Sequence, residues 1–237
     1  MGRFMSPDWS AKVEPVPYSK LDDPQTLNLY AYVGNNPLAR TDPTGHYLCN
    51  GDQCKQVKAA LKDINKAASS KRLNADQKAA LKGVVAFYGK AGKDNGVTVN
   101  TGDAAAGANG GTRTENGRTS ISLNLSNWDA PDANLNGGSP KAEKAATVAH
   151  EGEHGVQQKA GGMPGNNEQE FHGEQQAYTI QSDVNEGLNK TSAYGTWTPG
   201  GGFNQGAIDD YATRSTDMWC GCNWAPPAPA APGGAPQ

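Results

Sequence analysis

The run His150-Glu151-Gly152-Glu153-His154 holds two of the four histidines of the chain. Its pattern is H-E-x-x-H. It falls within Lys141 to Lys159, where Ala142, Ala145, Ala146 and Ala149 recur at helical spacing. Residues four apart on a helix project about 40° from one another, so both imidazoles can reach one metal ion. Glu151 projects about 100° round the axis from His150. From there it can take a proton from a metal-bound water instead of binding the ion. Zinc lowers the pKa of such a water and polarises a substrate carbonyl. The competing reading is a solvated helix that carries two histidines. Gly152 is a misfit inside a helix, costing about 1 kcal/mol against Ala; a strand or substrate backbone passing close would account for it.

A catalytic zinc needs a third protein ligand and an open position. Ala160 stands where a metzincin has its third His, which excludes that subclass. The next helical stretch, Glu168 to about Leu188 with Asn167 as its cap, offers Glu170, His172 and Glu174. Its apolar stripe is Phe171, Ala177, Tyr178, Val184 and Leu188. Glu170 and Glu174 fall within that stripe, whereas His172 lies about 160° from Glu174. An acid on an apolar stripe needs a partner, and a metal ion is one. Glu174, two turns into its helix, leaves room for a loop and an antiparallel return, and is preferred to Glu170.

These helices sit in a longer plan. Two helices precede them, roughly Asp52 to Ala68 and one capped at Asn74 with Gln77 in the capping-box position. Val97-Thr98-Val99 reads as a strand, Glu115-Asn116-Gly117 as a hairpin turn, and Ile121, Leu123 and Leu125 alternate with polar residues as in a half-buried strand. Ala207 to Trp219 reads as a last helix with Ile208, Tyr211 and Met218 inward. From Ala225 onward the chain is Pro/Ala/Gly-rich and expected to be disordered. The fold class expected is α+β.

Composition narrows the function. Gly 30 and Pro 15 in 237 residues, with a mean hydropathy of −0.71, predict a thin core and long loops. A net charge of −3 argues against a nucleic-acid binder that relies on bulk positive charge. No apolar run could span a membrane, and no basic segment followed by an apolar stretch opens the chain, so export without a signal peptide is expected. The cysteines form two close pairs, Cys49/Cys54 and Cys220/Cys222. Free thiols, one or two disulfides, and a zinc site of all four remain open, though C-x4-C and C-x-C depart from the usual knuckle spacing.

His150-Glu151-x-x-His154 followed by Glu174-Gln175-Gln176-Ala177-Tyr178 resembles the gluzincin-type zinc metallopeptidases. The resemblance covers about 60 residues. It implies a zincin-like α+β fold, Zn2+ held by His150, His154 and Glu174, and Glu151 as general base. It also implies an edge strand that pairs with the peptide substrate, a role for which Thr119 to Leu125 is placed. A transition-state donor stays unassigned among Tyr178, Tyr194, Tyr211 and His172.

A second resemblance covers residues 2 to 45. Gly2-Arg3-Phe4-Met5-Ser6-Pro7-Asp8, then Asn28-Leu29-Tyr30-Ala31-Tyr32-Val33-Gly34-Asn35-Asn36-Pro37, then Asp42-Pro43-Thr44-Gly45 closely resemble the end of the RHS repeat-associated core domain. In that family the core ends a large β-cage that carries a variable C-terminal toxin, and many members cleave themselves just after this boundary. The resemblance implies a core fragment at 1–46, a toxin domain at 47–225 and a tail at 226–237. His46 replaces the apolar residue usual at that point. The combined expectation is a polymorphic toxin exported by type VI secretion or a related route. It would act as a zinc endopeptidase on proteins of a competing cell, with a cognate immunity protein. The rivals are a zinc amidase acting on peptidoglycan peptide, a non-catalytic binding toxin with a structural metal, and a nuclease, which the missing H-N-H pattern disfavours.

Overall fold

The computed structural model describes residues 46–226, except Lys93 and Ala106. The segment that carries the RHS resemblance and the Pro-rich tail lie outside the described residues. The described part is α+β. Strands β1 (His46–Asn50), β2 (Lys90–Ala91), β3 (Val97–Thr101), β4 (Gly110–Glu115) and β5 (Arg118–Leu123) form one sheet in the order β2-β1-β3-β5-β4. β1, β2, β3 and β5 run parallel, while β4 returns antiparallel along β5. Parallel neighbours need a crossover. Helices α1 (Cys54–Ala68) and α2 (Ala75–Tyr88) supply the one between β1 and β3.

The sheet buries one face. Val97, Val99, Ile121 and Leu123 point into the main core with Val57, Ile64, Leu81 and Val84 from the helices. The other face carries a polar ladder, in which Asn50 Nδ2 donates to Asn100 Oδ1 and Asn100 Nδ2 to Ser120 Oγ. Asn116 and Gly117, both with positive φ (50° and 75°), close the β4–β5 hairpin as the Asn-Gly signal predicts. β5 has a partner on each side, so Thr119 to Leu125 is not the edge expected to receive a substrate. The edge is β4.

Helix α3 (Pro140–Gly161) runs through the centre. Ser139 caps it by accepting from Ala142 N, with Pro140 in the first position. Its small side chains, Ala142, Ala145, Ala146 and Ala149, are all buried and let α1, α2, β4 and α4 approach together. Helix α4 (Asn167–Leu188) returns against it, capped by Asn166, one residue before the expected Asn167. Tiny strands β6 (Trp197–Thr198) and β7 (Gly202–Phe203) precede α5 (Gln205–Cys220), which packs on α4 through Phe171, Tyr178, Ile208 and Ala212. Met218 is not inward on α5 as expected; it is 75% exposed. Disulfides join Cys49 to Cys54 and Cys220 to Cys222, each within its own pair, which removes a zinc site built from all four cysteines. No helix among the described residues is long and apolar enough to cross a membrane.

Candidate metal centre

Helix α3 places His150 and His154 one turn apart on its α4-facing side, and α4 answers with Glu174. His150 Nε2 and His154 Nε2 are 3.2 Å apart. Glu174 Oε2 lies 3.3 Å from the first and Glu174 Oε1 3.3 Å from the second. Two histidines from one helix and one carboxylate from the next thus converge, all in buried or nearly buried positions. The spacing can be tested against an ion. A tetrahedral zinc with bonds of about 2.0–2.1 Å sets its ligand atoms about 3.3 Å apart; the His–His separation is of that size, and the carboxylate meets His150 through Oε2 and His154 through Oε1 at the same distance. Glu174 Oε2 has no hydrogen-bond partner although it is buried, so its lone pairs lack the donor that a buried oxygen needs. The donor set and its spacing fit a divalent metal ion and are compatible with zinc.

Neighbours orient the set. His154 Nδ1 lies 3.2 Å from Gln157 Oε1 and donates to it, which directs Nε2 at Glu174. Gln157 Nε2 in turn donates to Gly173 O and Gln176 Oε1 on α4, tying the two helices at the level of the site. The Tyr178 ring stands edge-on to His150, with centroids 4.6 Å apart. Burial works against a charged His154, but Glu174, Glu151 and Glu170 facing it outweigh that and raise its pKa to about 10. Burial would likewise raise Glu174, yet the two imidazoles hold its carboxyl below the usual carboxylate range.

Glu151 sits beside this trio, 5% exposed, with its side chain laid against β4. Thr112 Oγ1, on β4, lies 2.7 Å from Glu151 Oε2 and donates to it. A Cβ at Gly110 would come within 2.4 Å of Glu151 Oε1, so only glycine leaves room for the carboxylate there. Gln158 Nε2 donates to Thr112 O and holds the same strand against α3. Gly152 also makes room, though not for a strand or substrate. Its missing Cβ is filled by Tyr88 and Val84 of α2, each of which would lie 2.6 Å away.

A cleft of about 460 Å³ opens onto these groups. β4 with the loop before it forms one wall, and α5 forms the other. Glu151, Glu170 and Glu174 line it from α3 and α4. Glu170 reaches the cleft, but its carboxyl is raised to about 7, by burial and then by Glu174 beside it. It is not in the converging trio. His172 is exposed and bonded to Gln175, away from the cleft. Of the four candidate donors to a transition state, Tyr178, Tyr194 and Tyr211 line the cleft and His172 does not. Tyr194 OH accepts from Asn109 Nδ2, and Tyr178 OH shares a hydrogen bond with Ser215 Oγ. The sequence reading missed Thr112, Gln158 and Arg214. Counting back from the Asn116-Gly117 turn would have found Thr112, because a hairpin onto the alternating strand requires a partner at 110–115. No protein-family model, curated protein or solved structure matches this chain.

Proposed function

We propose that this chain is a zinc-dependent endopeptidase of zincin-like architecture. It would be the C-terminal toxin of an RHS-type polymorphic protein, exported to act on proteins of a competing cell. The observation that carries the peptidase reading is a three-ligand set facing an open cleft with a carboxylate beside it. Structural zinc sites are closed by four protein ligands, whereas catalytic ones use three and leave a position free. Here His150, His154 and Glu174 would hold the ion and Glu151 is the nearby carboxylate without a place in the trio. Zinc, when bound, supplies the Lewis acidity that polarises a peptide carbonyl. Glu151 takes the proton of the attacking water and passes it to the departing amine nitrogen. Thr112 holds Glu151 Oε2 in place for that transfer. The outer edge of β4, apart from Thr112 O, which Gln158 occupies, offers its backbone groups to an extended substrate, the role that the resemblance had assigned to Thr119–Leu125. Tyr178, Tyr194 and Tyr211 flank the space where an oxyanion would form.

The RHS part of the reading rests on residues 2–45, and the immunity protein, the cage and the secretion apparatus follow from it alone. A second reading draws on the two disulfides. They suit an oxidising compartment, where the same centre would cut peptidoglycan peptide. Glu151→Gln tests the hydrolytic reading. It keeps the shape and removes the base, so zinc content stays near wild type while activity falls roughly 100- to 10,000-fold. Toxicity retained in full by that variant refutes hydrolysis and favours a binding toxin. Mass spectrometry of target-cell proteins and of isolated cell wall after exposure separates the two substrates.

A further inference from the structure

Helix α5 presents one stripe to the cleft: Tyr211, Arg214, Ser215, Met218 and Trp219. Their spacing of three and four places them on one helical face. Two features of that stripe have no structural use. Arg214 is exposed and is the one Lys or Arg among the lining residues, in a cleft that otherwise carries Glu151, Glu170 and Glu174. Among the described residues no carboxylate lies within ion-pair distance of it. Its guanidinium instead lies 5.1 Å from the centroid of the Tyr211 ring. Stacking orients the planar fork and leaves its N–H groups free. The second feature is apolar. Four large apolar side chains are exposed among the described residues, and three of them, Met163, Met218 and Trp219, stand at this one cleft. Surface apolar groups scattered singly need no explanation, but a cluster at a cleft mouth marks a binding surface.

We propose that the α5 stripe, with Met163 from the α3–α4 connection, reads substrate sequence: Arg214 pairs with a carboxylate, and Met163, Met218 and Trp219 receive a large apolar side chain. The inference rests on the peptidase reading above and names the peptide class that the site takes. Position follows from helix geometry. Tyr211 touches the ring of Tyr178, which meets His150, and Ser215 bonds to the Tyr178 hydroxyl, so the Tyr211–Ser215 part of the stripe is the part tied to the metal centre. Arg214 lies about 4.5 Å further along the axis than Tyr211, and Met218 and Trp219 about 10–12 Å further. An extended peptide advances about 3.3 Å per residue. The acid therefore falls one or two residues from the group beside Tyr211, and the apolar residue about two beyond the acid. Because the apolar mouth lies past Arg214, the chain continues beyond the carboxylate, which places it on an internal Asp or Glu side chain and not on a chain terminus. Elsewhere in the cleft an acid meets Glu151 or Glu170, so one position accepts it and its neighbours repel it.

The test reads binding, so it is separable from hydrolysis. The full chain carrying Glu151→Gln and loaded with zinc is immobilised, and a randomised octapeptide pool is passed over it. Mass spectrometry identifies what is retained. Retained peptides are expected to be enriched roughly tenfold or more, the scale of a charge-assisted contact, in Asp or Glu with Trp, Phe, Leu or Met about two positions away on one side. Added Arg214→Ala removes the acid preference and leaves the apolar one, and Arg214→Glu converts it to Lys or Arg. Met218→Ser with Trp219→Ser does the reverse of Arg214→Ala. These side chains are exposed, so circular dichroism of each variant should match the parent. A pool with no enrichment, or an acid preference that survives Arg214→Glu, overturns the proposal. Acid enrichment lost in a C-terminally amidated pool overturns the internal acid and leaves a terminal carboxylate as the group read. If selected peptides bind wild type but are not cut, the peptidase reading fails while this assignment holds.

Discussion

Gly152→Ala in the H-E-x-x-H run tests whether α3 is positioned by its contact with α2. Propensity alone favours the change, since Ala in a helix interior is worth about 0.5–1 kcal/mol over Gly. Packing opposes it. The new methyl would lie 2.6 Å from both Tyr88 Cε2 and Val84 Cγ1, against an ordinary carbon–carbon contact of about 3.5–4.0 Å. Tyr88 cannot withdraw easily, because it is fully buried and its hydroxyl donates to Val148 O at 2.8 Å on α3 itself. Overpacking of this kind costs about 1–3 kcal/mol. The net is a loss of about 1–2 kcal/mol, which for a domain of this size lowers Tm by roughly 2–8 °C. Gly83, on the exposed face of α2, has no atom within 4 Å of its would-be Cβ, so Gly83→Ala should gain about 0.5–1 kcal/mol. Urea titrations of the metal-free parent and both variants decide it. Equal or greater stability for Gly152→Ala, or a loss for Gly83→Ala, would refute the packing account. Because Gly152 lies between His150 and His154 on α3, the same variant should also bind zinc more weakly.

The remaining expectations concern the centre and its surroundings. Glu174→Ala should leave little zinc after dialysis, whereas His172→Ala and Glu170→Ala should stay near one per chain; a site emptied by either of the latter and full in the former would show the trio to be misassigned. Thr112→Val removes the hydroxyl on Glu151 Oε2 and should lower kcat about tenfold with zinc content unchanged; an unaltered kcat would mean that Thr112 does not position the base. Burial lifts the Glu143 carboxyl from 4.5 to about 7, the Ala193 N–H holding it back only in part. The folded state therefore holds this proton more tightly than the unfolded chain, so the contribution of Glu143 to stability is greatest below about pH 4.5, falls as pH rises towards 7, and levels off above. At about 1.4 kcal/mol per pH unit the interval is worth roughly 3 kcal/mol. Glu143→Gln should remove that part of the slope, seen as a parent–variant difference that grows between pH 5 and about 7; parallel pH curves would contradict it.

What the sequence revealed depended on whether a residue's neighbours in the chain are also its partners in space. The capping box at Asn74 and Gln77, the Asn116-Gly117 turn and the helical register of His150 and His154 are local, and all appear as read. Glu174 was legible because an acid on an apolar stripe signals a partner from elsewhere. β4 was not, because an edge strand with Gly110 and Gly111 at its start buries no residue fully and carries no apolar period. That omission placed the expected edge strand one strand inward, at β5. The reason for Gly152 was illegible too, since Tyr88 and Val84 are remote in sequence. Met218 fits the apolar period of α5 but faces the cleft, and a period cannot distinguish a face turned to the core from one turned to a ligand. Neither could spacing decide the state of the cysteines, whose pairing within each couple follows from the strand–helix junction at Cys49–Cys54 and the Gly221 turn, with φ 61°, at Cys220–Cys222.

On the proposed reading the two walls of the cleft divide recognition between them. β4 offers backbone groups, which every peptide can pair with, so damage there should weaken all substrates alike. α5 offers side chains, which discriminate, so changes there should reorder substrates and leave the best attainable rate nearly intact. The division has a basis in how each wall is held. β4 is fixed on both sides of the catalytic carboxylate, by its ladder to β5 and by Thr112 and Gln158 to α3, and a strand so tied cannot vary without moving Glu151. The cleft-facing stripe of α5 is joined to the metal trio through Tyr178, which meets the ring of Tyr211 and the hydroxyl of Ser215, and its outer residues are exposed. Arg214, Met218 and Trp219 can therefore change without disturbing His150, His154 or Glu174. A proline at Thr114, on the outer part of β4, and a glutamate at Arg214 make the comparison: the first should lower cleavage of every peptide tested, and the second should exchange one set of preferred peptides for another. If Thr114→Pro alters preference while Arg214→Glu merely weakens cleavage, the roles of the two walls are reversed.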